Sequence, residues 1–114
     1  MKRIFPIILS IILVNTVSHG ISADESANNS VEILYNQRRF TPQKAEVSAG
    51  HPVTIRVVNS SKERIEFESF KLNREEVVDP GRTIVVHLPA LRPGTYDFYD
   101  DFHKDVPEGA IVAK

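Results

Sequence analysis

Val53-Thr54-Ile55-Arg56-Val57-Val58-Asn59 puts Val53, Ile55 and Val57 on one side of an extended chain and Thr54, Arg56 and Val58 on the other. A period of two is the mark of a strand with one buried face. The pattern recurs in both directions. Upstream, residues 31–35 read as a strand, and Phe40-Thr41-Pro42 leads into a second run over 44–48. Downstream, Ile65-Glu66-Phe67-Glu68-Ser69 alternates again, and Ile84, Val86 and Leu88 share one side of the run 83–88. Residues 96–99 are aromatic and β-prone, and 110–113 form a last apolar run. Ala49-Gly50-His51-Pro52, Asp79-Pro80-Gly81 and Arg92-Pro93-Gly94 are turn signals between these runs. The short charged segment 72–78, with Glu75-Glu76, reads as a solvated edge. No segment sustains a helical period. Many short strands at this spacing predict an all-β Greek-key sandwich.

The N-terminus has a different character. Met1-Lys2-Arg3 is basic, residues 4–14 are apolar apart from Pro6 and Ser10, and 17–23 turn small and polar. That is the order of a secretory signal peptide, with cleavage expected after Ala23 and Gly20 as the alternative. The apolar run is shorter than the roughly 20 residues that span a bilayer as a helix. The expected organisation is a signal peptide over 1–23, a flexible polar lead-in over 24–30 and one folded domain over 31–114, exported to the periplasm. Fourteen basic residues face fifteen acidic ones, for a net charge of −1. No basic patch interleaved with aromatics is present, which argues against nucleic acid as a partner. There is no cysteine, so packing or a bound metal must stabilise the exported domain without disulfides.

Two segments concentrate metal-ligating residue types. Glu66 and Glu68 lie two positions apart on a predicted strand, so their carboxylates share a face about 7 Å apart. Asp100-Asp101-Phe102-His103 sets two carboxylates beside an imidazole, a hard donor set that suits non-haem iron and also accepts Cu(II). Glu108 is a further carboxylate candidate. The five residues of the two segments are expected to converge at one end of the sandwich. Each also has a bland reading. The glutamates can face water opposite Ile65 and Phe67, and the aspartates can serve a turn. His51, in a turn, and His87, opposite Ile84, Val86 and Leu88, read as structural or exposed. Tyr96, Phe98 and Tyr99 are expected to pack the corner of the sandwich.

The order of these pieces resembles the cupredoxin-like domains of bacterial periplasmic iron-uptake systems. The matching set runs through Phe40-Thr41-Pro42, Ala49-Gly50, Val57-Val58-Asn59, Glu66-Phe67-Glu68-Ser69, Val77-Val78-Asp79-Pro80-Gly81, Leu91-Arg92-Pro93-Gly94-Thr95-Tyr96, Asp100-Asp101-Phe102-His103 and Gly109-Ala110-Ile111-Val112. It is similar to the cupredoxin module of the Efe-type component and to the small stand-alone cupredoxin of Ftr-type ferrous-iron transport. With Lys114 as the last residue, the stand-alone type is expected. Against the ordinary cupredoxin ligand set, the resemblance puts Glu66 near the first histidine and Asp100 near the cysteine. His103 then keeps the histidine position, and Pro107-Glu108 falls near the methionine. In the iron-uptake modules, the Glu-Phe-Glu-Ser segment and the acidic residues of the last hairpin are implicated in iron binding. This carries over to Glu66, Glu68, Asp100 and Asp101.

The resemblance implies a periplasmic accessory of ferrous-iron uptake. It would bind iron, with copper as the second candidate ion, and would oxidise iron or deliver it to a membrane permease alongside a redox partner. A ferroxidase role follows from the resemblance only, and binding or transfer is an equal reading. The rival from another class is a structural or interaction module whose metal site has lapsed. With no cysteine to supply a thiolate, Cu(II)-loaded protein is expected to lack the intense charge-transfer colour of a blue copper centre. An absorption spectrum checks this, and a strong blue band would contradict the composition.

Overall fold

The computed structural model describes residues 29–114. The expected signal peptide and most of the expected lead-in lie outside the described residues. Nine strands follow one another: β1 (Ser30–Asn36), β2 (Arg39–Thr41), β3 (Lys44–Val47), β4 (Val53–Asn59), β5 (Ile65–Ser69), β6 (Arg74–Val78), β7 (Thr83–Leu88), β8 (Gly94–Asp100) and β9 (Gly109–Ala113). They form one sheet in the order β2-β1-β4-β7 and another in the order β3-β9-β8-β5-β6. The chain changes sheet after β2, β3, β4, β6 and β7. The result is the expected all-β sandwich, with no helix among the described residues.

The alternation in the sequence becomes the two-sided character of the strands. Val53, Ile55 and Val57 of β4 are buried between the sheets, as are Ile65 and Phe67 of β5. The inner faces meet through a chain of rings. Tyr35 packs edge-on against Phe40 and Phe40 edge-on against Phe98, while Phe98 lies tilted on Phe67, each pair with centroids 5.1 Å apart. Such pairs add about 0.5–1.5 kcal/mol beyond the area they bury. Gly109 permits this packing, because a Cβ there would stand 2.3 Å from the Phe98 ring. Tyr96 is partly buried and donates its hydroxyl to the Arg92 carbonyl at 2.8 Å, closing the corner before β8.

Two asparagines act as internal staples. Asn29 is 5% exposed; it donates to the carbonyls of Ser48, His51 and Pro52 and accepts the Ser48 amide. The folded domain therefore begins within what the composition presents as a lead-in. Asn59 has no exposed surface. It donates to the carbonyls of Glu63 (2.7 Å) and Val78 (3.0 Å) and accepts the amide and hydroxyl of Ser61. All four of its bonding positions are in use, tying the end of β4 to the following loop and to β6. Asn59→Ala removes a donor from both carbonyls, although Glu63 still accepts the Ser61 hydroxyl at 3.2 Å. It is expected to lower unfolding stability by about 2 kcal/mol, since a buried unsatisfied group costs about 1–3 kcal/mol. A urea melt measures the loss.

Candidate metal centre

β5 lies between β6 and β8, and its pairings set two rows of side chains on the outer face of the five-stranded sheet. Glu68 stands across from Glu75 of β6 on one side and Tyr99 of β8 on the other. Glu66 stands across from Val77 of β6, and its carbonyl accepts the Asp101 amide at 3.0 Å. Phe67 points into the core, so its neighbours Glu66 and Glu68 must point out. The register thus delivers to one spot two carboxylates of β5 and one from the turn that follows β8. One oxygen from each of Glu66, Glu68 and Asp101 can lie within 4.8 Å of the others.

Glu66 is the unusual member. It faces outward yet is only 7% exposed, and its Oε1 is buried without a hydrogen-bond partner. Its carboxyl is pushed up to about 7, first by a hydrogen bond shared with the Glu75 carboxyl, then by burial and by the charges of Glu75 and Asp101. Carboxyls crowded in this way favour a shared proton or a bound cation over full ionisation. Tyr99 is affected from the other side. Burial first, and then the Glu68 carboxylate, hold its phenol above the ordinary range.

The structure distributes the sequence-chosen residues over two places and does not bring them to one centre. Glu66, Glu68 and Asp101 share the outer face. Asp100, the last residue of β8, shares the inward side of buried Phe98 and has no exposed surface. Its Oδ1 accepts the amides of Glu66 (3.0 Å) and Phe102 (3.1 Å), and its Oδ2 accepts His103 Nδ1–H at 2.7 Å. His103 Nε2 lies 3.7 Å from Glu63 Oε2. Glu63 in turn meets Arg38 at 3.3 Å, and Arg38 binds both carboxylate oxygens of Asp105 at 2.7 Å. Glu108 is exposed; its carbonyl accepts the Gln43 side chain, and it stands outside the carboxylate trio. His87 is exposed beside Thr54, and the His51 carbonyl accepts from Asn29.

Three residues escaped the sequence reading. Glu75 is exposed on the edge strand β6 and also faces Glu68 across the β5–β6 hairpin. The signal for it was the short connection between the strands, which sets the register. Glu63 and Arg38 carry no such signal, because sequence-distant loops bring them together. Tyr99, expected in the corner, lies instead beside Glu68. Tyr35 is fully buried with an unbonded hydroxyl; burial, and next the nearby Asp100 carboxylate, raise its phenol to about 12.

A family model described as a cupredoxin-like domain matches residues 7–113. The chain belongs to this cupredoxin-like family. An uncharacterized protein of Rickettsia prowazekii (strain Madrid E) is 34% identical over 82 residues, covering 72% of this chain. The aligned part spans 66% of that relative's length. Among solved structures, dithionite-reduced auracyanin from Roseiflexus castenholzii superposes with a TM-score of 0.65 at 14% identity, over 75% of this chain and 97% of the other. Auracyanin A from Chloroflexus aurantiacus, described as a "blue" copper protein, gives 0.62 at 18% identity over 75% and 98%. A purple cupredoxin from Nitrosopumilus maritimus gives 0.57 at 16% identity over 74% and 99%. At these identities the likeness is one of fold.

A thiolate–copper centre does not fit this cupredoxin-like chain. There is no cysteine. Two of the residues that the resemblance sets at ordinary ligand positions, Asp100 and His103, use their facing atoms on each other. The outward trio of Glu66, Glu68 and Asp101 offers oxygen donors only, a set that suits a hard cation.

The Glu66 environment has a measurable signature in metal-free protein. Its folded-state value of about 7 lies above the ordinary 4.5, so the folded state holds the proton more tightly than the unfolded state. Stability from this group is therefore full below about 4.5 and is lost as pH rises through about 7. Glu66→Gln mimics the protonated form. Relative to the parent, it is expected to gain stability as pH rises through that window. Urea midpoints measured with a chelator present check the trend, and a pH-independent difference would refute it.

Proposed function

We propose that this cupredoxin-like chain is a metal-binding protein whose outward carboxylates, Glu66, Glu68 and Asp101, take up a hard cation, with Glu75 beside them. The observation that carries the reading is Glu66 Oε1, which is buried and unpartnered among two other carboxylates. An exposed acidic cluster needs no cation, because water solvates it. A carboxylate held out of water beside other carboxylates is costly until a proton or a metal joins it.

Iron is the proposed cargo. An all-oxygen donor set matches a hard ion better than a soft one, and Fe(III) better than Cu(I). Copper stands second, supported by the family and by auracyanin A, itself described as a blue copper protein. The proposed setting is the periplasm, reached through the N-terminal signal segment, with a membrane permease receiving the ion and a redox partner beside it. Within this reading the chain binds and passes on iron. Its own residues hold the cation and release protons to do so, and a ferroxidase step would need an electron acceptor from elsewhere.

The rival of a lapsed site applies well to one place. At the inner position, Asp100 and His103 satisfy each other, and Arg38 supplies a fixed cation to Glu63 and Asp105. That arrangement favours a retired ligand position there and a working site on the outer face.

Titration of the purified domain with Fe(II) under anaerobic conditions, Fe(III) and Cu(II) tests the proposal. A ligand at 100 times its Kd stabilises by about 2.7 kcal/mol, which raises the melting temperature measurably. Iron is expected to raise it in the parent and to leave the double variant Glu66→Ala, Glu68→Ala unchanged. Equal responses from the two proteins would reduce the glutamates to a solvent face.

A further inference from the structure

Asp100 has no exposed surface, and a buried carboxylate must be paired to be tolerated. Its bonds are distributed in an informative way. Oδ1 accepts the Glu66 amide on β5 at 3.0 Å and the Phe102 amide just past β8 at 3.1 Å. One oxygen therefore ties together the backbone on either side of Asp101 and the backbone of Glu66. A further bond, Asp101 N–H to the Glu66 carbonyl at 3.0 Å, lies between them. Oδ2 is held by His103 Nδ1 at 2.7 Å, and since an ionised carboxylate only accepts, that nitrogen carries the proton. The His103 side chain is 23% exposed, and its other nitrogen faces Glu63.

We infer that Asp100, oriented by His103, is a positioning residue of the outer carboxylate site, clamping β5 at Glu66 to the chain at Asp101 and so setting the distance between these two carboxylates. The inference rests on the reading of Glu66, Glu68 and Asp101 as a cation site. It assigns to the residues at two ordinary cupredoxin ligand positions a different task, performed from the opposite side of the strand. Groups that orient metal ligands without touching the metal commonly change affinity by 10–100-fold when removed.

Mn(II) is a suitable probe, being a hard divalent cation. Isothermal titration is run with the parent, Asp100→Asn, Asp100→Ala, His103→Ala and the double variant Glu66→Ala, Glu68→Ala, each well below its melting temperature. Asp100→Ala is expected to bind at least about tenfold more weakly than the parent. Asp100→Asn should recover part of the loss, because its side-chain oxygen still accepts the two amides. His103→Ala is expected to weaken binding severalfold, and pulsed EPR of the parent Mn(II) complex should show no imidazole nitrogen coupling. Should Asp100→Ala not fold, His103→Ala and Asp100→Asn carry the comparison. Loss of binding in the double glutamate variant, with parent affinity in the Asp100 and His103 variants, overturns this inference and leaves the cation site standing. Nitrogen coupling in the parent that His103→Ala removes makes His103 a ligand and also overturns it. Parent affinity in the double glutamate variant removes the cation site, and the inference with it.

Discussion

Phe67 has no exposed surface, and its ring lies 5.1 Å from that of Phe98. That contact decides which way every residue of β5 points. Burying a large apolar side chain stabilises by about 1.5–3 kcal/mol. A one-residue slip of the strand would expose Phe67 and Ile65 and turn two glutamates into the core. The alternation of β5 is therefore held by the core, and Glu66 and Glu68 are delivered to the outer face as a consequence. The same ring packing locks β8 through Phe98, which sends Asp100 inward and Asp101 outward. Chemistry on the outer face is thus governed by apolar packing on the inner one.

The inner position repays comparison with the outer. Gln37 and Arg38 both have positive φ, at 50° and 57°, in the tight β1–β2 turn. Neither is glycine, so this backbone costs free energy that the surroundings must offset. The turn carries Arg38 to Glu63 and Asp105. An exposed ion pair of this kind adds little stability alone, and its value lies in neutralising the loop that follows β8. Charge there is balanced within the protein. On the outer face Glu66, Glu68, Glu75 and Asp101 come together, and the exposed Lys104 ammonium, 3.5 Å from Asp101, is a partial counter-charge at one edge of the group. Charge is closely matched at one end of the Asp100 strand region and only partly matched on its other face, where one exposed lysine stands beside several carboxylates.

Much of the fold was legible in the sequence because one physical rule, alternation around a buried face, recurs in nearly every strand. The turns were legible too, since Gly50 and Gly81 adopt positive φ, at 81° and 72°, where glycine is favoured. The glutamate pair on β5 followed from the same alternation. What failed was the assumption that neighbours in sequence are neighbours in a site. Asp100 and Asp101 are adjacent in the chain and are separated by the plane of the sheet. Glu75 does lie exposed on an edge strand, as its segment reads, but only the hairpin register shows that it faces Glu68. Arg38 and Glu63 were illegible for a different reason: their meeting depends on how distant loops lie, which no local pattern encodes.

The location of Glu75 has a further consequence, for how the protein behaves in company. β6 is a free edge of the five-stranded sheet, and Arg74, Glu75 and Glu76 stand in succession along it. Unpaired strand edges recruit other strands, and charged side chains are a common guard against that. Glu75 belongs both to this guard and to the surroundings of Glu66. Any cation that neutralises the carboxylates therefore also softens the repulsion that keeps the edge solitary. In this architecture, ionic loading and resistance to self-association draw on the same charge.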